Sequence, residues 1–141
     1  MSRLINPHYG SITGVVVKGK QLGRTIGFPT ANIEPISLSR ATIAKGVYGV
    51  YVYIEGERYL GVMNVGERPS IDDGNHLTYE VNILDFDEDL YGKELTVKII
   101  FFIRNEKKFP SLAELIKQIK KDVNYAKIRL KNMELNERLT L

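Results

Sequence analysis

The chain has 141 residues, of which 43% are hydrophobic and 26% charged, with a formal net charge of +3 and no cysteine. That is enough for one domain with its own core, and the missing thiols exclude a disulfide framework, a thiolate metal site and a cysteine nucleophile. No apolar run approaches the roughly 18 residues of a membrane span, and the mild basicity suits an anionic ligand such as a nucleotide without arguing for nucleic acid.

In chain order, residues 1–20 hold Asn6, Pro7, His8 and Gly10 and lack the apolar core of a signal peptide, so a cytoplasmic setting is expected. ITGVVVK at 12–18 predicts a β-branched strand. Residues 19–33 form a punctuated loop, and 34–45 read as a polar connection without a period. GVYGVYVYI at 46–54 and RYLGVMNV at 58–65 predict a hairpin around Glu55-Gly56-Glu57. Residues 66–76, with Gly66, Pro69, Asp72, Asp73 and Gly74, predict a second loop. LTYEVNIL at 77–84 alternates, with Tyr79, Val81 and Ile83 on one face and Thr78, Glu80 and Asn82 on the other. ELTVKIIFFI at 94–103 adds a further strand.

Beyond Arg104 the period becomes helical, through Leu112, Leu115, Ile116, Ile119, Val123, Ala126 and Leu130. Ser111 followed by Glu114 marks the helix start, and Asp122 with the lysines is assigned to the solvent face. The tail after 131 is polar and gives no clear helix end. Five or six short strands without βαβ alternation predict a small closed antiparallel β-barrel carrying one C-terminal amphipathic α-helix.

GVVVKGKQ at 14–21 has P-loop spacing as far as its lysine, but Gln21 stands where a Ser or Thr should hold the metal and no helix signal follows, so the P-loop is rejected. Gly19, Gly23 and Gly27 recur beside Lys18, Lys20 and Arg24, a composition that suits either a flexible turn or a backbone anion nest. In GRTIGFPTANI at 23–33, Pro29 biases Phe28 to an extended shape, and a strand restarting at Thr30 puts Thr30 and Asn32 on one face. A hydroxyl beside an amide can hold Mg²⁺ and phosphates through oxygen, or simply satisfy the turn. Glu80 lies mid-strand on a polar face, where it is either solvated or a base for an alcohol. His8 and His76 lack metal-ligand spacing, and no catalytic triad can be assembled.

GRTIGFPTANI resembles the signature loop of riboflavin kinases. GVYGVYV at 46–52, GVMNVGERPS at 61–70, YEVNILDFDEDLYGKEL at 79–95 and IRNEKKFPSLAELIKQIKKDV at 103–123 follow in order. The chain is similar to the kinase half of bacterial bifunctional riboflavin kinase/FAD synthetases. The resemblance implies a single kinase domain over 1–141, with a core of about 12–130 and a Greek-key barrel. It implies ATP-dependent phosphorylation of the riboflavin ribityl 5′-hydroxyl to FMN, with Mg²⁺ or another divalent cation. Carried over, Glu80 is the catalytic base, Thr30 and Asn32 bind metal and nucleotide, and Gly19, Gly23 and Gly27 cover the nucleotide. Arg104 orders the substrate side.

Two departures stand out: Asn105 replaces a usual proline, and Ser70 a usual threonine. The histidine-rich adenylyltransferase motif is not found, so FMN without FAD is expected from a monomer that binds riboflavin and ATP and neither membrane nor nucleic acid. The alternative is a catalytically weak flavin-binding or RNA-binding regulator; Tyr48, Tyr51, Tyr53 and Tyr59 could be imagined as a stacking platform, but their place among Val and Ile in a hairpin favours packing.

Overall fold

The β-branched and aromatic runs become strands, and their alternation separates an inside from an outside. The computed structural model describes residues 9–18, 30–39, 43–70 and 74–139. Within them lie β1 (Ser11–Val17), β2 (Ala31–Leu38), β3 (Gly46–Ile54), β4 (Glu57–Ser70), β5 (Gly74–Ile83), β6 (Glu94–Arg104) and helix α1 (Leu112–Leu139). The strands form a closed barrel in the order β1-β2-β5-β4-β3-β6. Every ladder is antiparallel, including the β1–β6 ladder that closes the ring. Strands β3, β4 and β5 follow one another as hairpins, and β6 returns to lie beside β3, which is Greek-key connectivity.

The barrel interior is filled by alternate residues such as Val50, Val52, Met63, Val65, Val81 and Val97, all fully buried. A second apolar cluster lies outside the barrel, under α1. There Val47, Tyr51, Val62 and Phe101 meet Ala126 and Leu130 of the helix. Phe101 can lie flat because Gly49, its partner across the β3–β6 ladder, has no side chain: a Cβ there would run into the ring. Ser111 Oγ accepts from the Glu114 N–H at 3.2 Å and caps the helix as expected. No helix of the described residues is long and apolar enough to cross a membrane.

Four local expectations need correction. Residues 34–38, read as the start of a polar connection, instead continue the strand expected to restart at Thr30, giving β2 over Ala31–Leu38, and Pro35 fits because it pairs with Gly14 where the register shifts. The loop expected over 66–76 is mostly ladder, since β4 runs on to Ser70 and β5 begins at Gly74. The helix continues through its polar tail to Leu139. Asp122 does not face solvent; it is 4% exposed, on the same stripe as Ala126 and Leu130.

Candidate functional site

One end of the barrel opens into a cleft of about 460 Å³, within the size range of small-molecule sites. It forms where β1 ends, β2 begins and β5 ends, with the 86–91 segment as its outer wall. Thr30 and Asn32 line one side, Asp87, Glu88 and Asp89 another. Lys18 contributes the cation, its Nζ 5.3 Å from the centre of the exposed Tyr91 ring. A polyphosphate entering this cleft would meet three carboxylates. A hard divalent cation held by the hydroxyl of Thr30 and the amide oxygen of Asn32 would offset that repulsion. The donor set therefore fits Mg²⁺ carried by phosphates better than a protein-caged metal. Among the described residues no cluster of His, Asp or Glu could hold an ion alone.

Asn32 connects the cleft to a second feature. It is the register partner of Glu80 across the β2–β5 ladder, and Glu80 in turn pairs with Asn64 across β5–β4. Directly paired residues share a face, so Asn32, Glu80 and Asn64 form one polar row on the outside of the barrel. The inward-facing neighbours of Glu80, Tyr79 and Val81, are buried, which fixes the direction of its side chain. The next row holds Thr78 opposite Gly66. A Cβ on Gly66 would lie 2.6 Å from Glu106 Oε2 and 3.3 Å from Thr78 Oγ1. The missing side chain thus leaves room for the Glu106 carboxylate, brought in by the segment between β6 and α1.

Arg104 sits where β6 ends and is held by the helix. Its Nε donates to both oxygens of Asp122 at 3.0 and 3.1 Å, and its Nη2 donates to Oδ2 at 2.8 Å. Its Nη1 donates to the Asn105 carbonyl at 3.1 Å. Gln118 Nε2 also donates to Asp122, at 3.0 Å. The guanidinium lies 5.8 Å from the centre of the Phe109 ring. In this arrangement Arg104 fastens the 105–110 segment to both β6 and α1.

The structure thus groups Thr30, Asn32 and Glu80 and puts Arg104 at the root of the neighbouring loop. Gly19, Gly23 and Gly27 lie outside the described residues. The hairpin tyrosines are packed or partly packed, as their setting among Val and Ile suggests, and offer no open stacking platform: Tyr48 is 2% and Tyr51 5% exposed, and Tyr53 and Tyr59 are half-buried. Sequence reasoning missed Asn64, Glu106 and the acidic wall at 87–89. Asn64 had a signal, as the one polar residue between Met63 and Val65 in an apolar run.

The family model described as Riboflavin kinase matches residues 6–130. The RNA-binding riboflavin kinase RibR of Bacillus subtilis (strain 168) is 45% identical over 113 residues, covering 80% of this chain and 48% of that protein. The bifunctional riboflavin kinase/FMN adenylyltransferase of Haemophilus influenzae is 48% identical over 118 residues, covering 82% of this chain and 37% of the relative. This chain therefore spans less than half the length of either. Among solved structures, riboflavin kinase from Trypanosoma brucei superposes with a TM-score of 0.60 at 27% identity, over 91% of this chain and 83% of that one. With the closed barrel, its helix and these matches together, the chain belongs to the riboflavin kinase family.

Proposed function

We propose that residues 1–141 act as one kinase domain that transfers the γ-phosphoryl group of ATP to the ribityl 5′-hydroxyl of riboflavin, giving FMN and ADP. The observation that carries this reading is the pairing of Asn32 with Glu80. It sets a carboxylate one strand spacing, about 5 Å, from the wall of a nucleotide-sized cleft. ATP occupies the cleft, its phosphates directed to Thr30 and Asn32, and the family resemblance assigns Gly19, Gly23 and Gly27 to the same nucleotide. A divalent cation bound there supplies charge neutralisation on the phosphates. The alcohol lies over the outer face with its 5′-oxygen at Glu80. The bond between that oxygen and the γ-phosphorus forms as the β–γ bridging bond breaks, and Glu80 accepts the hydroxyl proton. Phosphoryl transfer asks chiefly for alignment and charge stabilisation, so one positioned carboxylate suffices.

Arg104 serves the substrate side by holding the 105–110 segment in place through Asp122. The assigned product is FMN, and no adenylyl transfer is assigned to this chain. The setting is a cytoplasmic monomer. An RNA-binding role, which the name of the Bacillus relative carries, gains no support from the hairpin tyrosines, which are packed. The test is to incubate the protein with riboflavin and Mg-ATP and separate the flavins by chromatography. FMN without FAD is the expected product. Binding of flavin with no FMN formed would overturn the kinase reading in favour of a regulatory module.

A further inference from the structure

Helix α1 carries a second apolar stripe that the barrel does not use. Ala126 and Leu130 are fully buried on the barrel side. Tyr125, Ile128, Leu135 and Leu139 are 46%, 54%, 52% and 74% exposed, and Asn132 is exposed between them. These residues recur at spacings of three, four, three and four, the a/d pattern of a coiled-coil heptad. At about 100° per residue the stripe points away from the barrel, roughly opposite Ala126 and Leu130. Single exposed apolar residues need no explanation, but a heptad row sustained over about four helical turns does. The family match ends at residue 130, so Asn132, Leu135 and Leu139 lie beyond it.

The charges beside the stripe indicate what would cover it. With Tyr125, Asn132 and Leu139 at a, the flanking e and g positions hold Asn124, Arg129, Lys131, Asn136 and Arg138. Three of these are cationic and none is acidic. Arg129 is held in place, donating to the Tyr125 hydroxyl at 2.9 Å. Glu134 turns towards the barrel, where it pairs with Arg58 at 2.9 Å. A second copy of α1 would gain nothing at these flanks. Paired parallel, Asn124 meets Arg129 and Lys131 meets Asn136; paired antiparallel, the row with Lys131 and Arg138 meets itself. A helix with acidic flanks would instead form an ion pair at each cation. Asn132 asks for a polar residue opposite it and so sets the register. We infer that the outward face of α1 is a docking seam for an acidic amphipathic helix of a partner protein, apolar at a and d with one polar residue facing Asn132. Because α1 is already folded against the barrel, docking orders only the incoming helix.

The test uses the full chain and two synthetic helices of three heptads, each with Leu at a and d and a single Asn at a. One carries Glu at every e and g position and the other Lys. Fluorescence anisotropy should show the acidic helix binding about tenfold or more tightly than its lysine twin, with an affinity that falls as salt is added. Leu135→Asp should weaken that binding by about tenfold or more, while FMN formation and melting temperature stay at the wild-type values. The double change Lys131→Glu with Arg138→Glu should turn the preference towards the lysine helix. Failure of both helices to bind, equal binding of the two, or binding unaffected by Leu135→Asp would overturn the inference. Sedimentation showing a dimer that Leu135→Asp dissolves would assign the seam to a second copy instead. Binding to phosphatidylserine vesicles that Leu135→Asp abolishes, without binding of the acidic helix, would assign it to a membrane surface.

Discussion

Each residue of the outer row takes its chemistry from its place on a strand. Thr30 and Asn32 are separated by Ala31, which packs inward against the core, so they present their oxygens to the same side. Thr30 is exposed and contributes nothing to the core. Thr30→Ala should therefore leave the melting temperature within a few degrees of the wild type. It should raise the Mg²⁺ concentration needed for half-maximal turnover by about tenfold, as expected on losing one oxygen ligand. A titration of rate against Mg²⁺ checks this, and an unchanged requirement would remove Thr30 from the site. Glu106 belongs to the same neighbourhood and depends on Gly66. Because its carboxylate is the end of a flexible side chain, Gly66→Ala should displace it at a cost to stability of about 1 kcal/mol or less. A urea melt measures this, and a much larger loss would show that the backbone, not the Glu106 side chain, fills that space.

At the level of elements, an ion pair joins the end of β6 to α1 beside the apolar contact of Phe101 with Ala126 and Leu130. Arg104 and Asp122 meet in a two-pronged contact, with 21% and 5% of their side chains exposed. Removing one partner of a fully buried pair costs about 3–5 kcal/mol because the other charge is stranded. Arg104 keeps some solvent, so Asp122→Ala should cost about 2–3 kcal/mol. It should also loosen the 105–110 segment, seen as a rise in KM for flavin larger than that for ATP. Chemical denaturation and steady-state kinetics test the two halves separately, and equal shifts in both KM values would deny the segment a substrate-side role. This junction also marks what the sequence could not show. The helical period of α1 was legible from Leu112 onwards, yet a charged residue on the buried stripe is read as solvent-facing unless its partner is known. That partner, Arg104, lies on another element. The second half of β2 escaped for a similar reason: with Ile33 its one deeply buried residue and Pro35 within it, the strand has no alternation of its own. Pairing with β1 and β5 makes it a strand. The β3–β4 hairpin, by contrast, carried its own turn residues and a continuous β-rich run, so β3 was legible to its ends. Thr30, Asn32 and Glu80 could be singled out by residue type, but their adjacency appears only when β2 is laid beside β5.

Over the whole molecule, the closed barrel fixes what titrates. Burial raises the phenol pKa values of Tyr48, Tyr51 and Tyr79 above the usual tyrosine value. Tyr9 adds to the effect at Tyr48, and at Tyr51 the nearby Arg58 opposes it. Tyr48 also donates its hydroxyl to the Ala44 carbonyl at 2.7 Å, a bond that requires the proton. A raised folded-state pKa means that the unfolded chain loses its protons first. The stabilisation is full below the unfolded value near 10 and falls as pH rises from there through the folded values. Thermal melts should therefore show stability declining above about pH 10, and Tyr48→Phe should lessen the decline; a flat alkaline limb would contradict it. Closure has a functional consequence too. Because β2 pairs with β5 to complete the ring, the end-of-barrel cleft and the outer face meet at Asn32 and Glu80. The measurement that bears most directly on this account is the turnover of Glu80→Gln at saturating riboflavin and Mg-ATP, with flavin affinity measured in parallel. The account predicts a kcat lower by about 100-fold or more, the scale of a positioned proton acceptor, with flavin affinity within a few-fold of the wild type. Near-normal turnover in a variant that still binds flavin would contradict it, because the carboxylate beside the cleft would then have no part in the transfer.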